Sequence, residues 1–152
     1  MIGTAYLDAS AAMRRLLAFR SGHELIREVW DEADDIVTVT LTYAEVCAAL
    51  AAARRNRSLT ERGLERGLTA WDELYSQLAL VVLDEPVART AGKLARSHAL
   101  RGADAVHLAA AQASGCDLLL SADVALCQAA ERSGMATLEL NTAAGSPPPD
   151  VS

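Results

Sequence analysis

Five short apolar segments, each about as long as a β-strand, alternate along this chain with segments of helical spacing. The strand-like segments are residues 2–7, 36–40, 79–83, 116–120 and 136–140. The helix-like segments are residues 9–19, 23–34, 42–54, 58–77, 87–100, 103–115 and 122–132. Strands that alternate with helices form a mostly parallel sheet that is covered on both faces. The sequence therefore predicts an α/β three-layer sandwich with a central, mostly parallel five-stranded sheet.

Local signals mark the starts of three of these helices. Thr42 is followed three residues later by Glu45, and Ser58 by Glu61. This spacing is typical of a capping box, in which the two side chains satisfy free N–H groups of the first turn. Pro86, soon after the third strand, is suited to the first turn of a helix.

Length and composition indicate one globular domain. The chain has 152 residues, of which 51% are hydrophobic and 22% charged, an ordinary balance for a folded domain. We place this domain at residues 1–141. Residues 142–152 contain the run Gly-Ser-Pro-Pro-Pro, which cannot pack regularly, so we expect a flexible tail.

The cellular compartment can also be predicted. No apolar run reaches the roughly 20 residues that span a bilayer, and the first residues lack the basic region of a signal peptide. The three cysteines, Cys47, Cys116 and Cys127, form no CxxC pair. We interpret them as buried thiols of a cytoplasmic protein.

Four carboxylates occupy positions where a parallel sheet would bring them together. Asp8 ends the first strand, Glu45 follows the second, and Asp123 follows the fourth. Asp104 opens a helix whose far end leads into the fourth strand. Ligands of open parallel sheets bind at the carboxyl ends of the strands, so we expect these side chains to converge there.

Each of these residues also has a structural explanation. Asp8 can be an N-cap, and Glu45 can be the second member of its capping box. Asp104 and Asp123 can complement helix dipoles, an effect worth about 0.3–1 kcal/mol each. Convergence separates the two interpretations, because capping does not require the four carboxylates to approach one another.

A converging set of carboxylates indicates a cation. Carboxylates within several ångströms repel, and some would take up a proton unless a cation is present. Mg²⁺ prefers such oxygen ligands, and Mn²⁺ accepts them. Such an ion can orient a phosphodiester and lower the pKa of an attacking water, so no nucleophilic side chain is required.

Other acidic residues are expected to lie elsewhere. Asp117 lies near the start of the fourth strand, so it should lie at the opposite edge of the sheet. The acidic run at residues 31–35 is interpreted as a solvated helix end. Asp84 follows a strand as the site residues do, but Pro86 two residues later favours a helix cap.

Four segments together resemble the PIN-domain family, and within it the VapC-type toxin ribonucleases of bacterial toxin–antitoxin pairs. They are Tyr6–Ser10, Thr42–Val46, Leu100–Ala109 and Leu120–Asp123, of which the third is the strongest. Each is short, and their order and spacing carry the resemblance, which covers about residues 4–141.

The resemblance implies a PIN-like fold with an acidic Mg²⁺ site. Asp8, Glu45, Asp104 and Asp123 match the family's acidic positions, with Asp8 and Asp104 as metal ligands. Ser10 and Ser121 match its supporting hydroxyl positions. The resemblance further implies an RNA substrate, a cognate antitoxin that covers the site, and a homodimer.

Basic residues and one histidine are candidate RNA contacts. His107 follows Asp104 by three positions, so both lie on one helix face; it can contact a substrate phosphate, hydrogen-bond a carboxylate or make a structural contact. Arg14 and Arg15, like the arginines at residues 54–57, can bind the RNA backbone or form a solvated helix end. The net charge of −6 argues against a generic duplex-DNA binder.

Three functions compete. The first is a metal-dependent endoribonuclease toxin. The second is a catalytically silent PIN-like module that binds RNA or protein, which the loss of a carboxylate would favour. The third is a Mg²⁺ phosphotransfer domain, either a receiver or a haloacid-dehalogenase-like phosphatase. The sequence Tyr-Leu-Asp-Ala-Ser at residues 6–10 lacks the acidic pair and the DxD motif that these would have.

Overall fold

The computed structural model of this chain describes residues 2–141; the predicted flexible tail at 142–152 lies outside the described residues. The strands are β1 (Ile2–Leu7), β2 (Ala33–Val39), β3 (Ala79–Val81), β4 (Leu118–Ser121) and β5 (Thr137–Glu139). The helices are α1 (Ala9–Leu16), α2 (His23–Glu32), α3 (Leu41–Arg55), α4 (Glu61–Tyr75), α5 (Glu85–His98), α6 (Gly102–Ser114) and α7 (Val124–Arg132).

The five strands form one sheet in the order β3-β2-β1-β4-β5. Each neighbouring pair is parallel, and Tyr6 of β1 is in register with Val37 of β2 and Leu119 of β4. The predicted α/β fold with a parallel five-stranded sheet is thus confirmed. β1 pairs with β2 on one side and with β4 on the other. The order of the strands across the sheet therefore reverses between β1 and β4, although all strands stay parallel. Such a switch point leaves a crevice at the carboxyl ends of the strands.

The sheet separates two hydrophobic cores. Successive side chains of a strand point to opposite faces, and Tyr6 and Leu119 accordingly pack with α5, α6 and α7. Leu7 and Leu120, one position on, pack with helices α1 to α4 on the other face. Both faces are therefore covered, which explains why the strands are apolar runs without alternation.

The structure corrects the boundary between α2 and β2. The acidic run at residues 31–35 was expected to end a helix, but the helix ends at Glu32. Ala33 already pairs with Ile2 of β1, and Asp35 pairs with Thr4. Pairing with the central strand outweighs the low strand propensity of aspartate, and the Asp35 side chain stays exposed at the sheet surface.

Several helix starts and ends also differ from the prediction by one to three residues, and those of α1, α3 and α4 have a visible cause. α1 stops at Leu16 instead of residue 19, because Leu17 has extended backbone and a buried side chain. The Thr42–Glu45 capping box does not form: α3 starts at Leu41, and the Thr42 hydroxyl lies 2.6 Å from the Thr38 hydroxyl. α4 is capped by Thr60, whose hydroxyl accepts from Gly63 N, and Ser58 lies outside the helix.

The cysteines are free thiols with different exposure. Cys127 is buried, and burial is the main cause that raises the pKa of its thiol to about 12. Cys47 and Cys116 are partly exposed, so the prediction that all three are buried is wrong for these two. Among residues 2–141, none of the helices has both the length and the apolar character that crossing a membrane requires.

We expect the two leucines Leu119 and Leu80 to differ strongly in their contribution to stability. Leu119 lies in β4 with no exposed surface, whereas Leu80 in the edge strand β3 is 43% exposed. Leu119→Ala should lower the free energy of unfolding by about 2–5 kcal/mol, and Leu80→Ala by about 1 kcal/mol or less. Urea unfolding measures both, and equal losses would contradict this description of the core.

Candidate active site

The first carboxylate, Asp8, is held rigidly where β1 ends. Its Oδ1 accepts hydrogen bonds from Ala11 N (2.9 Å) and the Ser10 hydroxyl (2.6 Å), and its Oδ2 accepts from the Ser121 hydroxyl (2.6 Å). The residue is 4% exposed. Asp8 is therefore the N-cap of α1 and at the same time the centre of a hydrogen-bond network between β1 and β4.

Two serines complete this network from both sides. The Ser10 hydroxyl accepts from Ala122 N (2.8 Å), and the Ser121 hydroxyl accepts from Asp123 N (2.9 Å). Each hydroxyl thus donates to Asp8 and accepts from the backbone that follows β4. The segment that carries Asp123 is thereby held against Asp8, which is a supporting position of the kind expected for Ser10 and Ser121.

Asp123 and Asp104 lie at the N-termini of two helices. Asp123 caps α7, because its Oδ1 accepts from Leu126 N at 2.9 Å. Asp104 lies in the first turn of α6, and its side chain is 16% exposed. Arg101, itself highly exposed, approaches both carboxylates, at 3.5 Å from Asp104 Oδ2 and 3.8 Å from Asp123 Oδ2. Arg101 was not a predicted site residue, although its i,i+3 spacing to Asp104 is visible in the sequence.

The electrostatics of Asp104 show that the carboxylates affect one another. Burial raises the pKa of Asp104, and the negative charges of Asp123 and Asp8 raise it further. Arg101 and His107 act in the opposite direction without cancelling the shift. The anionic form of Asp104 is therefore less favourable in this pocket than in water, and a nearby cation would favour it.

Glu45 reaches the site from α3, one turn after that helix begins at Leu41. Its Oε1 lies 2.6 Å from Nε2 of His107. His107 is 2% exposed, and its Nδ1 lies 2.8 Å from the hydroxyl of Tyr6, which was not a predicted site residue. Of the alternatives predicted for His107, the structure shows the contact with a carboxylate. The ring is buried and offers almost no surface to a substrate.

One pocket of about 360 Å³ brings the four carboxylates together. Its walls include Asp8, Glu45, Asp104 and Asp123, and also Ser10, Arg14, Arg20 and His107. Arg20 was not among the predicted residues, since nothing in the sequence indicates that the turn after α1 returns to this pocket. Arg15 is not among the lining residues; its guanidinium lies 5.3 Å from the centre of the Trp30 ring.

The acidic residues expected elsewhere do lie elsewhere. Asp117, just before β4, accepts a hydrogen bond from Thr4 N at 2.9 Å, near the amino ends of the strands. Asp84 caps α5, since its Oδ1 accepts from Val87 N at 3.1 Å. A carboxylate that follows a strand therefore has to be checked for local capping signals before it is assigned to a site. For Asp84, Pro86 two residues later is such a signal.

The donor set fits a hydrated hard cation better than a fully protein-bound one. No group of three Asp, Glu, His or Cys side chains within residues 2–141 is arranged closely enough to enclose a metal ion. The pocket nevertheless offers carboxylate oxygens from four parts of the chain, and burial together with the charges of Asp123 and Asp8 raises the pKa of Asp104. Mg²⁺ typically keeps several waters and binds one or two carboxylates, which such a pocket can supply.

Comparison with known proteins places this fold and pocket in a family. The PIN domain model matches residues 5–132. Ribonuclease VapC45 and ribonuclease VapC49, from the Mycobacterium tuberculosis strains CDC 1551 / Oshkosh and ATCC 25618 / H37Rv, are each 47% identical over 110 residues. The aligned region is 72% of this chain and 76% of each relative.

Solved structures agree with the fold. PAE2754 from Pyrobaculum aerophilum superposes with a TM-score of 0.69 at 18% identity, covering 93% of both chains. A toxin–antitoxin complex from Klebsiella pneumoniae contains a chain that superposes with a TM-score of 0.58 at 18% identity, covering 78% of this chain and 86% of that one. The chain therefore belongs to the PIN-domain family and, within that family, to the VapC-type toxin ribonucleases.

We expect Asp104→Asn to stabilise the metal-free protein. Because the pKa of Asp104 is raised in the folded state, its ionisation favours unfolding, so stability is lost as the pH rises through that pKa. An uncharged amide removes this loss. Thermal unfolding in EDTA at pH 7 should show a higher Tm for Asp104→Asn, and a smaller decrease in Tm between pH 4 and pH 7.

Asp84→Asn is the matched control, because asparagine caps a helix as well as aspartate does. Its Tm should stay close to that of the wild type. An Asp104→Asn protein that melts below the wild type in EDTA would contradict the repulsion inferred for this pocket.

Proposed function

We propose that this chain is the toxin of a toxin–antitoxin pair and hydrolyses RNA phosphodiesters at the acidic pocket with a divalent cation. The observation that carries the proposal is the convergence of four carboxylates from four separate parts of the chain on one pocket. The ribonuclease names of the two 47% identical relatives support the activity. The proposed cation is Mg²⁺, with Mn²⁺ as a chemically acceptable substitute.

The residues divide into ligands and supports. Asp8 and Asp104 would bind the cation, with Glu45 and Asp123 completing the acidic site. Ser10 and Ser121 keep Asp8 in place by the hydrogen bonds described above. When bound, the cation would stabilise negative charge at the phosphodiester and assist ionisation of a water.

The rim of the pocket supplies positive charge for the RNA backbone. Arg14 and Arg20 line the pocket, and the Nε atom of each is buried without a hydrogen-bond partner in the described part of the chain. Burial and the neighbouring charge of Arg20 lower the pKa of Arg14, which shows that the two guanidinium groups lie near each other. Two guanidinium groups in the wall of one pocket supply positive charge that can attract a phosphate.

The partners follow from the same proposal. An antitoxin protein would bind this chain and cover the pocket, in line with the chain of similar fold in the Klebsiella pneumoniae toxin–antitoxin complex. A cytoplasmic location is part of the proposal, because RNA targets of such a toxin are cytoplasmic. A homodimer is also part of the proposal, as the resemblance to VapC-type toxins implies.

Cleavage of total cellular RNA by purified, antitoxin-free protein tests the activity. Discrete fragments should appear with Mg²⁺ or Mn²⁺ and disappear with EDTA. Asp8→Asn and Asp104→Asn should each reduce the rate by at least about 100-fold, because each removes a charge that acts on the reacting phosphate. Asp84→Asn, at a helix cap outside the pocket, should cut RNA within about two-fold of the wild type.

Two results would contradict this site. One is wild-type protein that cuts no RNA with any divalent cation, which would favour the catalytically silent binding module. The other is cleavage by the Asp8 and Asp104 variants at the wild-type rate, which would place the nuclease activity elsewhere or in a contaminant.

The role of the basic rim can be tested separately. Arg20→Gln should raise KM by about 3- to 10-fold with little change in kcat, because a backbone contact binds ground state and transition state alike. It should also reduce the salt dependence of RNA binding by about one unit of slope. Arg89→Gln is the control, since Arg89 is exposed on α5 and pairs only with Glu85 in the described structure. Equal kinetics of the Arg20 and Arg89 variants would remove Arg20 from the RNA path.

A further inference from the structure

A buried chain of two hydrogen bonds connects the core of the sheet to the acidic pocket. The Tyr6 hydroxyl lies 2.8 Å from His107 Nδ1, and His107 Nε2 lies 2.6 Å from Glu45 Oε1. Tyr6 has no exposed surface and His107 has 2%. The three residues come from β1, α6 and α3, so this chain of bonds joins the central strand to the two helices that flank the pocket.

The protonation of the imidazole is restricted by its two partners. If His107 is neutral, the Tyr6 hydroxyl can donate to Nδ1, and the ring hydrogen lies on Nε2. If His107 is positively charged, both ring nitrogens donate and the Tyr6 oxygen accepts. In both of these states Nε2 donates to Glu45 Oε1, so the imidazole fixes the position of that carboxylate oxygen.

The ring has little freedom to adopt another orientation. The Tyr6 and His107 rings meet edge to face, with centroids 5.9 Å apart and planes at 70°. Tyr6 and the backbone around His107 are packed among the buried residues between the sheet and α6. Glu45, by contrast, is a long side chain at the pocket surface, and a long side chain loses rotamer entropy when it is fixed.

We propose that His107 and Tyr6 are positioning residues that hold the Glu45 carboxylate in place for a divalent cation in the pocket. This inference rests on the proposed function, because it concerns the same acidic site. His107 would then act on the cation through Glu45 and not on the RNA. The second oxygen of Glu45 and the remaining lone pairs of Oε1 stay available to a cation or to its waters.

His107 and Tyr6 are partners of a metal-binding side chain that do not contact the cation themselves, and the expected effects follow from this role. Removing such a partner costs about 10- to 100-fold in metal affinity, so His107→Leu should weaken Mn²⁺ binding by that amount. His107→Gln keeps an N–H donor that can reach Glu45 and should recover most of the affinity. Tyr6→Phe removes only the hydroxyl that orients the ring, and we expect a smaller loss of about 3- to 10-fold.

The experiment uses the purified full chain and Mn²⁺ alone, with free Mn²⁺ measured by its electron paramagnetic resonance signal. Tyr43→Phe is the matched control: the Tyr43 hydroxyl also donates to a carboxylate, Asp72 Oδ1 at 2.7 Å, but outside the pocket. It should bind Mn²⁺ as the wild type does. RNA cleavage by Tyr6→Phe and His107→Leu should be slow at low Mn²⁺ and recover as Mn²⁺ is raised, which a general loss of structure would not show.

The outcomes separate this inference from the proposed function. Wild-type protein that neither binds Mn²⁺ nor cuts RNA would overturn both. Wild-type protein that does both, together with folded Tyr6→Phe and His107→Leu variants of unchanged Mn²⁺ affinity, would overturn the positioning role alone. If His107→Leu does not fold, Tyr6→Phe decides, because a single hydroxyl is removed without a change of shape.

Discussion

The parallel pairing of β1 with both β2 and β4 is the constraint on which the rest of the structure depends. Because the three strands run in one direction, their carboxyl ends meet at one edge of the sheet. Asp8 follows β1 directly, Asp123 follows β4 closely, and Glu45 lies one turn into the helix after β2. The same pairing buries both faces of the strands, so the core and the position of the site have one origin.

That convergence has an electrostatic cost, which the structure limits in two ways. Asp8 accepts three hydrogen bonds, and Glu45 Oε1 lies 2.6 Å from His107 Nε2, so both carboxylates have partners that hold them in place. In the described structure the charged partner of Asp104 is Arg101, at 3.5 Å. Burial, and then the charges of Asp123 and Asp8, raise the pKa of Asp104, so a cation at this carboxylate would offset part of that cost.

The sequence was sufficient for the order of the elements, the parallel sheet and the residues at the strand exits. These follow from the alternation of apolar strands with helices and from the position of each acid relative to a strand end. It was not sufficient for contacts that depend on packing across the sheet. Tyr6 resembles any other core aromatic in the sequence, and its bond to His107, 101 positions away, exists only because α6 packs over β1.

The boundaries that were wrong have a similar physical cause. The spacing of Thr42 and Glu45 fits a capping box, yet Thr42 bonds to Thr38 and Glu45 bonds to His107. A local pattern indicates what a side chain is able to do in an isolated helix, whereas tertiary contacts decide between partners of similar strength. The predicted capping box of Thr42 and Glu45 therefore fails because tertiary partners compete for both of its side chains.

Capping and ligand binding are not alternatives for the aspartates of this site. A carboxylate has two oxygens with about four acceptor positions, and an N-cap uses one of them. Asp123 caps α7 through Oδ1, while its Oδ2 has only a 3.8 Å approach from Arg101 in the described structure. Asp8 caps α1 through Oδ1 and accepts from Ser121 through Oδ2. The cap fixes the orientation of the side chain through the backbone of the helix, so the structural role provides the rigid placement that a metal ligand needs.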